Sequence, residues 1–352
     1  MFLEPSAFLY QQPMRLSELD YELPEEVIAQ HPLEQRAQAR LIVVERRSGA
    51  ISHSRFYKLP RELREGDLLV LNDTSVIPAR LMARKESGGA VELLLVRPVE
   101  NMPGQWQALV RTHRPLRAGT RLLLHDGCVL RIVAQYRPGR VLLESADSSS
   151  IEDILAKLGT PALPHYIHRA PTAADLTEYQ TVYAAKPGAV AAPTAGIHFT
   201  PELLNQLREA GIPATFITLH IGPGTFTPLR TPQVEYHSME AEWYTIPDAG
   251  VRAIELARRT GGRVVAVGTS TVRALESYAI TGECEGFTGL FIFPGFRFKL
   301  VDAMVTNFHM PRSTVLALVM ALAGRELLLR AYAEAIRHRY RFLSYGDAML
   351  IV

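Results

Sequence analysis

The feature that most constrains this chain of 352 residues is a change of pattern that happens twice. Residues 14–64 mix helix and strand signals. Pro24-Glu25-Glu26 puts proline and acids in the first turn of a short helix over residues 23–30. Leu41-Ile42-Val43-Val44-Glu45 reads as a strand. Residues 65–150 break into short β-rich runs at 68–71, 91–96, 106–110, 121–125, 129–134 and 140–144, divided by turn pairs such as Gly88-Gly89, Asp126-Gly127 and Pro138-Gly139. Strands at this close spacing predict a small all-β barrel. From Ile151 onward strands and helices alternate. Thr200 caps a helix with Pro201 in its first turn, an apolar stripe of Leu203, Leu204, Leu207 and Ala210, and Gly211 at its end. Strands are expected at 216–221 and 264–267, and helices at 251–259, 269–278 and 325–341. Such alternation predicts a mostly parallel sheet. The expected fold class is therefore α/β: a mostly parallel-sheet α/β domain, discontinuous over 14–64 and 151–352, with a small all-β barrel domain inserted at 65–150. Residues 1–13 read as an N-terminal extension.

At this length about two domains and a sizeable core are expected without a disulfide or metal staple. The two cysteines, Cys128 and Cys284, make neither a disulfide framework nor a zinc site, which fits a reducing, cytoplasmic setting. No apolar run reaches the roughly 18–20 residues that span a bilayer, so no membrane partner is expected. The run at 315–323 suits a buried helix, and residues 1–13 lack the basic start of a signal peptide. Nothing in the pattern demands more than a monomer. The net charge of +2 is too small to declare a polyanion partner, but its distribution is uneven. Residues 111–140 hold Arg111, Arg114, Arg117, Arg121, Arg131, Arg137 and Arg140 against one acid, Asp126, a local net of +6. Clustered guanidinium groups suit phosphates and mark a candidate face for RNA or another polyanion. The whole chain prefers arginine over lysine, 33 to 5, so a general bias in usage is the alternative explanation.

Four stretches concentrate chemistry. Val305-Thr306-Asn307-Phe308-His309-Met310-Pro311-Arg312-Ser313-Thr314 packs Asn, His and Arg into one turn between two buried elements. Buried polar groups need partners, so this is either a ligand site or a tightly bonded corner. Val267-Gly268-Thr269-Ser270-Thr271 ends a strand and starts a helix whose N-terminus favours an anion; ordinary capping is the alternative. Thr194-Ala195-Gly196-Ile197-His198 leads into another helix, with Gly196 open to close approach and His198 placed to stay neutral as a general base. A structural histidine is the commoner case. His220-Ile221-Gly222-Pro223-Gly224-Thr225-Phe226 follows a strand; the proline after it blocks a dinucleotide-loop helix, leaving a ligand-facing turn. His165-x-x-His168 lacks further ligands, so no metal is expected.

Together these stretches resemble one family, the S-adenosylmethionine:tRNA ribosyltransferase-isomerases of queuosine biosynthesis. The resemblance runs from Leu16 to Val352 through Tyr21-Glu22-Leu23-Pro24, Asn72-Asp73-Thr74, Pro78-Ala79-Arg80-Leu81, Tyr179-Gln180-Thr181-Val182-Tyr183, the four stretches above and Ser344-Tyr345-Gly346-Asp347. It departs where the family usually has a second histidine and this chain has Glu240. The resemblance implies an α/β domain with an inserted barrel. It implies transfer and isomerisation of the ribosyl part of S-adenosylmethionine onto 7-aminomethyl-7-deazaguanine at the tRNA wobble position. The product is epoxyqueuosine, adenine and methionine leave, and no metal takes part. On that basis His198, Glu242, His309 and Asp73 are the acid–base candidates. Thr194, Gly196, Gly222, Thr225, Gly268, Thr269, Ser270, Asn307 and Arg312 are the candidates to hold the donor, and the seven barrel arginines to hold tRNA. A methyltransferase would release S-adenosylhomocysteine instead, and a non-catalytic RNA-binding module would release nothing.

Overall fold

The computed structural model describes residues 13–147, 149–226 and 229–352, without the side chains of residues 225 and 226. Apart from Pro13, the expected N-terminal extension lies outside the described residues. From edge to edge the main sheet runs Glu285–Thr288, Glu242–Thr245, Ala214–Leu219, Leu68–Asn72, Val264–Val267, Ala303–Asn307, Ala348–Ile351, Arg40–Val44 and Ile51–Arg55. Its four middle strands, Ala214–Leu219 through Ala303–Asn307, pair in parallel. Arg40–Val44 is parallel to Ala348–Ile351, while both edges close with antiparallel pairs.

The central strands Leu68–Asn72, Val264–Val267 and Ala303–Asn307 are buried along their length because both faces are covered. Leu68, Val70, Val264, Ala266 and Met304 face one core beneath the helices Asp248–Arg259, Thr269–Thr281, Thr314–Ala323 and Arg325–Arg337. Their neighbours Leu69, Leu71, Val265, Val267 and Val305 face a second core beneath Leu59–Glu62 and Pro201–Glu209. The helix expected at 315–323 is Thr314–Ala323, and it is buried almost throughout. That expected at 325–341 stops at Arg337, and the one expected at 23–30 shrinks to a single 3-10 turn, Glu25–Val27.

The inserted unit is a closed six-stranded barrel, ordered Arg140–Ser145, Gln105–Arg111, Ala90–Pro98, Arg80–Lys85, Arg121–Leu123 and Val129–Arg137. Two assignments need correction. Residues 68–71 are not a barrel strand; Leu68–Asn72 is a central strand of the main sheet. The barrel strand in its place is Arg80–Lys85, in which the buried Leu81 and Ala83 alternate with more exposed residues. At the other end Ile151, Ile154 and Leu155 of helix Ile151–Leu158 pack into the barrel core. The insertion boundaries therefore move inward at the start and outward at the end from 65–150.

A short neck joins the two units. Thr74–Val76 leaves the sheet and pairs with the returning Lys186–Ala189. Beyond it, Arg80 and Thr160 exchange both backbone hydrogen bonds, at 3.0 and 2.9 Å. Gly159 fits there because a Cβ would stand 2.0 Å from the Pro78 carbonyl oxygen.

The chain turns out of the central strand at Asn72, which is fully buried. Its Oδ1 accepts from the N–H groups of Thr74 (3.1 Å) and Leu219 (3.0 Å). Its Nδ2 donates to the Leu219 carbonyl (2.9 Å) and to Ser270 Oγ (3.1 Å). One amide thus ties the neck, the adjacent strand and a helix N-terminus together. Replacement by leucine leaves several buried polar groups without a partner, each costing about 1–3 kcal/mol. We expect Asn72→Leu to lower unfolding free energy by about 3 kcal/mol or more, read from urea denaturation. A loss below about 1 kcal/mol would mean that the clamp is not a stability element.

Candidate functional site

The carboxyl ends of the parallel strands deliver Asn72, Gly268 and Asn307 to one end of the sheet. Ligands favour this end in open α/β sheets. A cleft of about 850 Å³ opens there, lined among others by Tyr166, Thr194, Gly268, Thr269, Ser270, Thr306, Asn307, His309 and Ser344. Phe308, Met310, Ile221, Val315 and Leu343 supply its apolar wall. Gly268 has a φ of 88°, a left-handed conformation that glycine adopts without strain, and it starts helix Thr269–Thr281 with no side-chain cap. The first turn of that helix therefore presents backbone N–H groups and the positive end of its dipole to the cleft. Thr271 turns away, its Oγ1 donating to the Val267 carbonyl at 2.7 Å.

Asn307 is held on three sides. Its Oδ1 accepts from Thr194 Oγ1 at 2.8 Å, which turns Nδ2 toward His198 Nε2 at 3.3 Å and the Asp347 carbonyl at 3.4 Å. This network assigns His198 Nε2 as an acceptor, so the proton sits on Nδ1 and donates to the Arg36 backbone. His198 is buried behind Asn307 against Phe56, beside a small pocket formed with Arg36 and Tyr345, and it does not line the main cleft. His309 does line it. The Nε2 of His309 lies 2.7 Å from Thr306 Oγ1, its N–H donates to Tyr332 Oη at 3.0 Å, and its carbonyl accepts from Tyr21 Oη. Burial pushes the His198 imidazole down to about 4 and that of His309 down to about 3. Both are neutral at pH 7.

A second cleft, about 1970 Å³, separates the barrel from the sheet. Its barrel wall carries Arg97, Trp106, Tyr136, Arg137 and Arg140, and its sheet wall carries His220, Gly222, Glu240, Glu242 and Trp243. Glu240 forms an ion pair with Arg140 across the gap. The His220 ring stacks on Trp243 with centroids 5.1 Å apart, its Nδ1 2.8 Å from Thr74 Oγ1. A small pocket with walls of Ile221, Glu242, Thr269, Ser270 and Arg273 lies between the two clefts and shares residues with each. Glu242 is buried, pairs with Arg273 and accepts from the Gly222 N–H at 2.7 Å. Arg273 in turn donates to the carbonyls of Leu290 (3.0 Å) and Thr288 (3.1 Å).

Several candidates fall elsewhere. Arg312 points outward to pair with Asp20 and does not line the cleft; its φ of 53° and its backbone bond to Leu19 shape the turn. Gly196 is not part of the cleft lining, and Tyr183 Oη would lie 2.0 Å from a Cβ added there. Asp73 accepts from Thr218 Oγ1 at 2.6 Å, and burial raises its carboxyl, but neither main cleft includes it. Thr225 belongs to the turn Pro223–Phe226, and its side chain lies outside the described residues. Of the seven barrel arginines, Arg137 and Arg140 reach the second cleft. Arg121 pairs with Glu86 and Arg131 with Glu144, whereas Arg111, Arg114 and Arg117 are exposed. Sequence reasoning missed Tyr166, whose Oη lies 2.7 Å from Ser344 Oγ in the cleft wall, and Thr306. Their isolation from recognisable motifs hid Tyr166; Thr306 lay in plain view beside Asn307.

Known proteins match along nearly the whole chain. The family described as "Queuosine biosynthesis protein" matches residues 16–351. The S-adenosylmethionine:tRNA ribosyltransferase-isomerase of Geobacter metallireducens is 47% identical over 342 residues, covering 96% of this chain and 100% of the relative. That of Rubrobacter xylanophilus is 50% identical over 339 residues, covering 96% and 98%. A crystal structure of the S-adenosylmethionine tRNA ribosyltransferase from Thermotoga maritima is 37% identical, covers 96% of this chain and all of that one, and gives a TM-score of 0.55.

Two outcomes follow from the buried groups. An unfolded histidine takes up its proton near pH 6.5, while folded His198 and His309 do so only near 4 and 3. The unfolded state therefore binds more protons between these values, and stability falls as pH drops through that window. Denaturant melts from pH 7 to 4 should show this decline, and His198→Gln should flatten it; an unchanged slope would contradict the burial of a neutral imidazole. Glu242→Gln leaves the Arg273 cation buried without its counter-charge, for which we expect a loss of about 3–5 kcal/mol in unfolding free energy. A loss under about 1 kcal/mol would show that the pair is dispensable to the fold.

Proposed function

The chain belongs to the queuosine biosynthesis protein family, and from that premise we propose how its two clefts divide the work of an S-adenosylmethionine:tRNA ribosyltransferase-isomerase. It transfers and isomerises a ribosyl group from S-adenosylmethionine to tRNA. The acceptor is the aminomethyl group of 7-aminomethyl-7-deazaguanine at the wobble position, and the modified base becomes epoxyqueuosine as adenine and methionine leave. The observation that carries this division is the pair of connected clefts: a mostly apolar one at the carboxyl ends of the strands and a wider one facing the barrel.

The first cleft fits the donor. It is concave and mostly apolar, with a few convergent polar groups, as small-molecule sites are. The uncapped first turn at Thr269 and Ser270 suits the methionine carboxylate. Asn307, with its amide fixed by Thr194 and His198, suits a ribose hydroxyl or an adenine edge. The sulfonium donor supplies an acidified C5′ and a ribose that loses adenine. A proton must leave that carbon; of the two histidines that line the cleft, His165 is exposed and His309 is buried and neutral, which makes His309 the base candidate. Its Thr306 contact orients the ring. His198 is then a positioning residue that acts through Asn307. Glu242 holds the Gly222 turn and Arg273, so its role is also to position. No step calls on a metal. The wide cleft takes the anticodon loop, with Arg137 and Arg140 on phosphates and His220, Trp243 and Tyr136 beside the unstacked base.

Chromatography of a reaction with S-adenosylmethionine and tRNA bearing 7-aminomethyl-7-deazaguanine should show adenine and methionine together, only with that tRNA. S-Adenosylhomocysteine would overturn the reading in favour of methyl transfer. His309→Gln should lower kcat by about 10²–10⁴-fold with donor binding retained. His198→Gln should cost less, with KM for the donor moving more than kcat. Arg137→Ala with Arg140→Ala should weaken tRNA binding and reduce its salt slope by roughly two. An unchanged slope would move the tRNA to another face.

A further inference from the structure

Far from both clefts, two histidines and a glutamate meet where the edge strand Ile51–Arg55 packs beside the last helix. Glu334 and His338 lie one helical turn apart, and His53 faces them from the strand. Glu334 Oε1 stands 2.9 Å from His338 Nε2 and 3.3 Å from His53 Nε2, and the donor atoms of all three lie within 4.8 Å of one another. The rings of the two histidines are 4.7 Å apart. None of the three lines either cleft.

The surrounding bonds leave the right atoms facing inward. His53 Nδ1 lies 2.8 Å from Tyr340 Oη. With the proton on Nδ1 donated to that oxygen, Nε2 presents a lone pair to the cluster, which is how an outer hydrogen bond sets a ligand's tautomer. Arg337 pairs with Glu334 Oε2, so Oε1 is the oxygen turned to both histidines. Two neutral imidazole nitrogens and a carboxylate oxygen are all acceptors. Held this close they repel unless a cation, a proton or a metal, stands among them. On a tetrahedral metal with bonds of about 2 Å, ligand atoms stand roughly 3.4 Å apart. The observed separations need only small side-chain adjustments, and the half-exposed histidines can make them.

We propose that His53, Glu334 and His338 form a binding site for a divalent transition metal of the zinc type, with water completing its coordination. Two imidazole ligands favour such metals over magnesium or calcium, and the single carboxylate is compatible with them. The ion would tie the edge strand to the last helix, across 281 residues of sequence between His53 and Glu334. It is a fastening site and takes no part in ribosyl transfer. The Arg337 cation beside it limits the affinity, and Arg40, 4.4 Å from the centre of the Tyr340 ring, adds a second positive group nearby.

The test is calorimetric titration of tag-free, chelator-treated full-length protein with Zn²⁺, alongside Co²⁺ absorption and thermal melts. One equivalent should bind in the micromolar range, Co²⁺ should give a visible band, and Zn²⁺ should raise Tm. His53→Gln and His338→Gln should each abolish all three, and Tyr340→Phe should weaken binding about tenfold while leaving the stoichiometry intact. Circular dichroism of the metal-free variants separates a lost site from a lost fold. Failure of the wild-type protein to bind in the micromolar range overturns the proposal. So does binding that survives both histidine substitutions.

Discussion

The buried amide of Asn72 is the constraint on which the rest of this structure depends. A strand end inside an α/β sheet leaves backbone groups that must be paired away from water. Asn72 pairs Leu219 on both its N–H and its carbonyl, and Thr74 on its N–H. It therefore does the work of an additional ladder residue while letting the main chain turn out toward the barrel. Because its last hydrogen bond goes to Ser270, the exit to the barrel and the N-terminus of helix Thr269–Thr281 are fixed by the same group. The two clefts lie on either side of this junction.

A second buried device relates the clefts to each other. Arg273 sits on the same helix as Ser270, and its guanidinium reaches Glu242 on the antiparallel strand next to the sheet edge. Glu242 then holds the Gly222 turn. The helix that lines one cleft and the turn that lines the other are thus joined by one charge pair. Breaking such a pair is costly because the remaining charge stays buried. In the proposed division of the clefts into donor and acceptor sites, this linkage would fix their register without a covalent tie.

Residue type and neighbourhood made part of the site legible. Asn307, His309, Gly268, Thr269 and Ser270 were found because polar residues at the end of an apolar strand are expensive unless they face a partner or a ligand. His198, Gly196 and Arg312 were found by the same logic and serve the scaffold. His198 buttresses Asn307, Gly196 makes room for Tyr183, and Arg312 closes on Asp20. Distinguishing a ligand-facing group from its support requires knowing which way each points, and a strand–turn–helix sequence leaves that open. The barrel arginines show the same limit. Alternation along a strand sends neighbours to opposite faces, so one dense cluster divides among a cleft wall, cross-strand ion pairs and exposed loops.

By itself the sequence determined the class of the fold, the presence of an inserted barrel and the family. These depend on local periodicity, turn chemistry and long ordered motifs, all of which are properties of neighbours along the chain. Only the tertiary structure decided that Leu68–Asn72 is a central strand and not a barrel strand, since an apolar run of four fits either core. It alone brought His53 to Glu334 and His338, and Glu242 to Arg273. Contacts of that kind arise when the sheet orders its strands differently from the chain. Their energies depend on distance in space, which no local pattern encodes.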